Sequence, residues 1–261
     1  MKRRIALAAL WFLTADAGAQ EVDAHDSWLA VSQLLFRGAA IAQDDSFVSL
    51  EAPQRAEDAA LTPVKLTIHA PAGDTRRVLK ISLVIDENPV PLAGEFTLGS
   101  KADVTEISTR VRVNAYTNMH AVAELSDGSL HATKVYVKAA GGCSAPATKD
   151  MDAAELGKMK LRVIDDVKPG RGDYVVMMRH PNNSGLQMDQ VTRLYTPARY
   201  VDHLAVYQGD DLVFAVEGGI SISEDPNFRF DFARSDAKTL RVEAHDIDNT
   251  QFQASWPIPG V

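Results

Sequence analysis

The run Leu130-His131-Ala132-Thr133-Lys134-Val135-Tyr136-Val137-Lys138-Ala139-Ala140-Gly141-Gly142-Cys143-Ser144-Ala145-Pro146 begins as a strand and ends as something else. Leu130 to Lys138 follows the turn residues Ser126-Asp127-Gly128, and so reads as the hairpin partner of the alternating row Met119, Ala121, Ala123, Leu125. Small residues then take over and carry the only cysteine. Set between Gly141-Gly142 and Ser144-Ala145-Pro146, Cys143 lacks bulky apolar neighbours that would bury it, which predicts a flexible, exposed segment.

Working outward, the same period of two recurs. Leu79, Ile81, Leu83 and Ile85 form one row, and Ile107, Thr109, Val111 and Val113 alternate with Ser108, Arg110 and Arg112 in another. Phe47 to Leu50 and Val64 to Ile68 are further short runs, cut by Pro53 and by Pro71-Ala72-Gly73-Asp74. Beyond Gly157 the signature resumes over 159–163, 174–179, 200–207, 212–216, 228–232 and 240–244, with Gln208-Gly209-Asp210-Asp211 as a hairpin turn. Asp26 or Ser27 offers a cap for one helix ahead of all this, with Trp28, Val31, Leu35 and Ala39 on one face. Short strands without alternating helices predict an all-β chain, an antiparallel sandwich in each half behind a short N-terminal helix. The boundaries fall at a first domain over 20–145, a linker over 146–157 rich in small and charged residues, and a second domain over 158–261.

The first nineteen residues follow another logic. Lys2-Arg3-Arg4 form a basic start, Ile5 to Leu13 an apolar stretch, and Ala17-Gly18-Ala19 a small-residue cleavage site, which is the pattern of a secretory signal peptide and predicts a periplasmic protein. That apolar stretch falls far below the roughly 20 residues needed to span a bilayer, and no other segment reads as a membrane insertion. The net charge is −8; removing residues 1–19 takes away Lys2, Arg3, Arg4 and Asp16, a net +2, and leaves −10. An acidic balance of this kind argues against nucleic acid and anionic membranes as partners.

One cysteine in an exported chain is itself informative, because an oxidising compartment favours paired cysteines. An odd thiol implies an intermolecular disulfide or a group kept free for use. Lys138 and Lys149 are the nearby cations that could lower its pKa, but they read as solvated lysines on a linker. The seven histidines include no close pair with carboxylate spacing, so no metal site, cofactor motif or catalytic residue is predicted, and the chain reads as a non-enzyme. His180, before Pro181, reads as a structural turn position, as do Arg171-Gly172-Asp173 and Asp246-Ile247-Asp248-Asn249.

Leu50-Glu51-Ala52-Pro53 with Ala56-Glu57-Asp58-Ala59 and Pro63-Val64, then Val135-Tyr136-Val137 running into Gly141-Gly142-Cys143, resemble SoxY of the periplasmic thiosulfate-oxidising sulfur carriers. Met177-Met178-Arg179-His180-Pro181 with Ser184-Gly185-Leu186, then Tyr200-Val201 and the stretch from Asn227 to Phe232, resemble its companion SoxZ. The joined order is similar to the SoxYZ-like carriers associated with quinoprotein dehydrogenases, the periplasmic alcohol-oxidising enzymes that use pyrroloquinoline quinone. The resemblance implies immunoglobulin-like sandwiches that pair within the chain. It further implies a covalent sulfur-containing intermediate on Cys143, with Gly141 and Gly142 giving the arm its flexibility. Partners would be periplasmic redox or sulfur-processing enzymes, among them a quinoprotein dehydrogenase and c-type cytochromes. The alternative is an accessory module of a PQQ-dependent alcohol dehydrogenase system with the thiol incidental. One departure stands out. In SoxY the Gly-Gly-Cys arm ends the chain, whereas here it is tethered at both ends, and the five residues from Lys138 to Cys143 reach at most about 18 Å.

Overall fold

The structure, a computed structural model, describes residues 24–146, 152–164 and 170–258. The predicted signal segment and Lys149 lie outside the described residues. One helix, α1 (Ala24–Phe36), leads into eight strands: β1 (Ile41–Gln43), β2 (Val48–Glu51), β3 (Thr62–Ile68), β4 (Val78–Ile85), β5 (Leu92–Leu98), β6 (Glu106–Val111), β7 (Thr117–Leu125) and β8 (Leu130–Val137). Seven more follow: β9 (Met159–Val163), β10 (Arg171–Met178), β11 (Val201–Gln208), β12 (Asp211–Gly218), β13 (Asn227–Ala233), β14 (Thr239–Asp246) and β15 (Gln251–Pro257). The all-β class and the short leading helix are as the sequence predicts. Most of the strand rows and both quoted hairpins, β7–β8 and β11–β12, form where the alternation places them.

The halves are joined by more than a chain segment. One sheet runs β1-β8-β7-β4-β5-β12-β11-β14-β15 and the other β2-β3-β6-β13-β10-β9, so each begins in the first half and ends in the second. Two antiparallel ladders cross the seam. In one, Phe96 pairs with Val216 and Gly94 with Gly218; in the other, Ile107 pairs with Phe230. Every other pairing is antiparallel except β1 on β8, which is parallel. A ladder across the seam satisfies backbone groups that two separate domains would leave at open edges, and this fixes the relative placement of the halves.

Packing follows the same line. Ile81, Leu83, Phe96, Ile107 and Val111 of the first half share one continuous core with Tyr174, Leu204, Phe214, Phe228 and Phe230 of the second. Phe228 sits between Phe96 (6.4 Å between ring centres) and Phe214 (6.1 Å), so the aromatic contacts cross the seam. Burying one such phenyl ring contributes about 1.5–3 kcal/mol. A close approach of backbones completes the joint: a Cβ on Gly99 would stand 1.7 Å from the Leu212 carbonyl oxygen, while its N–H donates to Val213 O at 2.9 Å.

Helix α1 stops at Phe36, where Arg37 and Gly38 turn left-handed (φ 53° and 75°) and the chain enters β1, so the helical reading of Ala39 does not hold. Ser27 lies inside the helix and donates to Glu87 Oε1 at 2.5 Å instead of capping it. Trp28 lies flat on His120, ring centres 3.7 Å apart and planes within 6°. This contact explains why β7 is buried on both faces although the sequence row marked only one.

Candidate functional site

Cys143 sits where the last strand of the first half meets the second. After β8 the chain turns at Gly141, whose φ of +78° suits a glycine and whose missing Cβ faces open space. Gly142 serves differently. A Cβ there would stand 2.1 Å from Ala59 O and 2.8 Å from Val113 N, so only glycine lets the loop lie this close. Gly141 N donates to Asn114 O (2.8 Å) and Gly142 N to Val113 O (2.9 Å), stitching the loop to the end of β6. Ser144 N closes a tight turn onto Gly141 O at 3.2 Å.

The second half grips the other side. Ser184 Oγ donates to Cys143 O, and Gln187 Nε2 donates to Ala145 O at 3.1 Å. The two clamping side chains are tied together, since Ser184 N donates to Gln187 Oε1 at 3.0 Å. Arg112 links both halves to the loop: Nη1 donates to Gly142 O (3.4 Å) and Nη2 to Asn182 O (3.2 Å). Asn182 is oriented in turn by Ile222 O, which accepts from its Nδ2 (3.1 Å), and by Val201 N, which donates to its Oδ1 (3.0 Å). His180 Nδ1 lies 2.8 Å from Asn182 Oδ1 and 3.0 Å from the Asn182 backbone N, and Nε2 faces Asp246 Oδ2 at 3.3 Å.

Cys143 is therefore 0% exposed, which corrects the exposed, flexible segment expected from its small neighbours. The reason is steric: small residues do not shield a thiol with their own bulk, yet they let backbone from both halves close over it. The flexibility expected of Gly142 gives way to tight packing for the same cause, while Gly141 is exposed and forms the turn. Burial pushes the thiol pKa up to about 11, with the charge of Arg112 opposing the rise. The resting sulfur is a neutral thiol and a poor nucleophile.

Arg112 is the residue that the sequence did not disclose. Its place in the alternation marked it as an outward side chain, but it is 1% exposed, because β6 ends at Val111 and the next residues run under the thiol loop and the turn at Asn182. Burial lowers its pKa, against the opposing attraction of Glu224, Cys143 and Asp58, and its Nε has no hydrogen-bond partner. This, and neither of the two lysines weighed from the sequence, is the cation whose charge acts on the thiol. His180 reaches the loop only through Asn182 and Arg112, and burial lowers its pKa against the opposing pull of Asp246 and Asn182. Its reading as a structural position stands. Among the described residues no group of three or more His, Cys, Asp or Glu side chains is arranged to hold a metal ion, and no helix is long and apolar enough to cross a membrane. A cleft of about 300 Å³ lies under α1, lined by Leu35, Phe36, Ser82, Glu95 and Val122, and does not include Cys143.

Comparison with known proteins agrees with this geometry. Residues 32–143 match the sulfur oxidation protein SoxY family, and residues 162–257 match the sulphur oxidation protein SoxZ family. The first match ends on Cys143 itself. No curated protein matches the chain. Among solved structures, the sulfur carrier protein SoxY from Chlorobium limicola f thiosulfatophilum is similar over 44% of this chain and 94% of its own, at 21% identity and a TM-score of 0.35. A superoxide reductase (neelaredoxin) from Ignicoccus hospitalis is similar over 38% of this chain and 94% of its own, at 13% identity and a TM-score of 0.32. Likenesses at that level say nothing about function; the two family matches, which together span most of the sequence, do. The chain is a fusion of a SoxY domain and a SoxZ domain in one polypeptide, and belongs with the SoxY and SoxZ sulfur-oxidation proteins.

Proposed function

We propose that this protein is a non-catalytic sulfur carrier of the periplasm, which holds a covalent sulfur intermediate on Cys143 Sγ and presents it to partner enzymes. The observation that supports this most directly is the position of the only cysteine: it closes the SoxY match and is gripped by backbone and side chains of both domains. A second cysteine would quench a sulfur adduct as an internal disulfide, and the chain has none. Loading by attack of the thiolate on a sulfane sulfur would form one S–S bond as the donor's own S–S bond breaks, with no outside oxidant.

In the closed arrangement the thiol is neutral and covered, so transfer takes place after the loop lifts from its clamps. Closure protects the free thiol between cycles, and the fused second domain supplies half of the cover. The export segment at residues 1–19 supports the periplasmic setting, and the joined domain order supports service to a quinoprotein dehydrogenase and c-type cytochromes. Intact-mass measurement on protein isolated without reductant from cells grown on a reduced sulfur source tests the reading. A mass increase in multiples of sulfur, or of sulfur with oxygen, mapped to Cys143, is expected. Bare thiol under all loading conditions rules it out.

A further inference from the structure

Large apolar side chains exposed to solvent are scattered over the described surface, with one concentration. Five of the thirteen, Leu186, Met188, Val191, Leu194 and Tyr195, fall within ten residues, and no other stretch of that length holds more than two. Val191 is 91% exposed, Leu194 68% and Tyr195 65%. An exposed cluster of this kind marks an interaction site more often than chance placement does.

The cluster is held out deliberately. Met188 and Tyr195 bridge as an antiparallel pair, Thr196 N donates to Gln187 O (2.8 Å), and Asp189 N donates to Leu194 O (2.9 Å), making a small hairpin. Its tip is fixed by Asp189 Oδ1, which accepts from Val191 N (3.0 Å), Thr192 N (2.6 Å) and Thr192 Oγ1 (2.9 Å). Those N–H and O–H donors hold the Asp189 carboxyl below the usual carboxylate range. A tip stiffened this way meets a partner with little further loss of conformational freedom. The base of the same hairpin begins at Gln187, the side chain that grips Ala145 O and steadies Ser184 on Cys143 O. Apolar tip and thiol clamp are thus two ends of one short, hydrogen-bonded element.

We propose that the hairpin from Gln187 to Thr196 is the docking element for the enzyme that loads Cys143, whose apolar cleft takes Val191, Leu194 and Tyr195 beside its thiol-accepting entrance. The assignment rests on the carrier reading above. The occupant follows from continuity: whatever reaches Sγ must displace the Ser184 and Gln187 contacts, and the exposed apolar surface lies on the segment that makes them. Pulling on the tip shifts Gln187 and frees the Cys143–Ala145 backbone, so docking and opening are one event.

The test compares the full chain with its Val191→Asp/Leu194→Asp variant, each produced in the native host and isolated without reductant. Both are followed by intact mass, size-exclusion chromatography, thermal unfolding and alkylation by iodoacetamide. A milder Val191→Ser/Leu194→Ser pair runs alongside. The expected result is adduct occupancy on Cys143 reduced about tenfold in the variants, the loss of roughly one hot-spot contact, with alkylation rate and melting temperature unchanged. Equal occupancy in wild type and variants overturns the docking assignment while leaving the carrier reading intact. Absence of any adduct in the wild type overturns the carrier reading, and the docking assignment with it. A wild-type dimer that the variants convert to monomer overturns the assignment in favour of a second copy of the chain as the occupant.

Discussion

Two of the joints between the domains are built differently. Along the sheets, β5 on β12 and β6 on β13 share antiparallel ladders of five and three residue pairs backed by aromatic packing, and Asp231 Oδ1 accepts Thr105 N (3.0 Å) and Glu106 N (2.9 Å) across the joint. At the thiol loop, the contact between the domains is a handful of side-chain hydrogen bonds, from Ser184 to Cys143 O, from Gln187 to Ala145 O and from Arg112 across to Asn182 O. A ladder opens only with the core beneath it, whereas a loop held by a few bonds can open alone. The difference implies a permanent hinge-free body and a releasable cover over one sulfur.

The largest effect should come from breaking the permanent joint. Gly99→Ala places a Cβ against the Leu212 carbonyl and is expected to cost about 3 kcal/mol or more, lowering the melting temperature by about 10 °C. Calorimetry checks this, and unchanged stability would show that the seam yields more easily than its ladders suggest.

Next comes alkaline pH. The covered thiol holds its proton up to about 11, against an ordinary value of 9.0. A group whose pKa is raised on folding contributes its full share below the unfolded value and loses it as pH climbs to the folded one. Closure should therefore be insensitive to this group below pH 9 and weaken by about 1.4 kcal/mol per pH unit from there to 11. The difference in melting temperature between wild type and Cys143→Ser should narrow across that window, if the thiol is covered as described; a difference that stays constant contradicts it.

Gly142→Ala sharpens the contrast, because it makes at the loop the same kind of lesion that Gly99→Ala makes at the seam. Here about 2 kcal/mol is expected to be lost locally, exposing the thiol and speeding its alkylation at pH 8 by ten- to hundredfold or about that range, with the melting temperature falling much less than for Gly99→Ala. Equal falls in melting temperature would mean that the two joints do not differ in kind. The smallest change is at the clamps: Ser184→Ala or Gln187→Ala each removes one of the hydrogen bonds that grip the loop, worth about 1 kcal/mol, and should raise the alkylation rate about fivefold. Rates equal to wild type in both would locate the restraint elsewhere, at Arg112.

Much of this architecture was legible, for a physical reason. Strands such as β4, β7 and β14 carry apolar residues at alternate positions, and the turns at Asp127-Gly128 and Gly209-Asp210 announce their hairpins. β5 was not legible, since Gly94 and Glu95 interrupt its row and Pro89 and Pro91 precede it. Arg171-Gly172-Asp173, read as a turn, opens β10, where Gly172 leaves room for the ring of Tyr174. The seam itself depends on pairing across more than a hundred residues, which local periodicity does not encode. At the site, the sequence singled out Cys143 but misread its surroundings. Alternation tells which face of β6 a side chain takes, not what covers that face, and so Arg112 was hidden. Small residues around Cys143 were read as freedom, when their effect is proximity.

The crossing of both sheets from one domain into the other bears on how the protein keeps apart from copies of itself. Two separate sandwiches would present eight sheet margins to solvent; the shared sheets present four, at β1, β15, β2 and β9. Of these, β1 has three residues and β2 four, too short to template another chain well. Joining the domains thus halves the borders at which β-proteins polymerise and leaves β15, at seven residues, as the longest of them, a safeguard against aggregation that does not depend on the thiol at all.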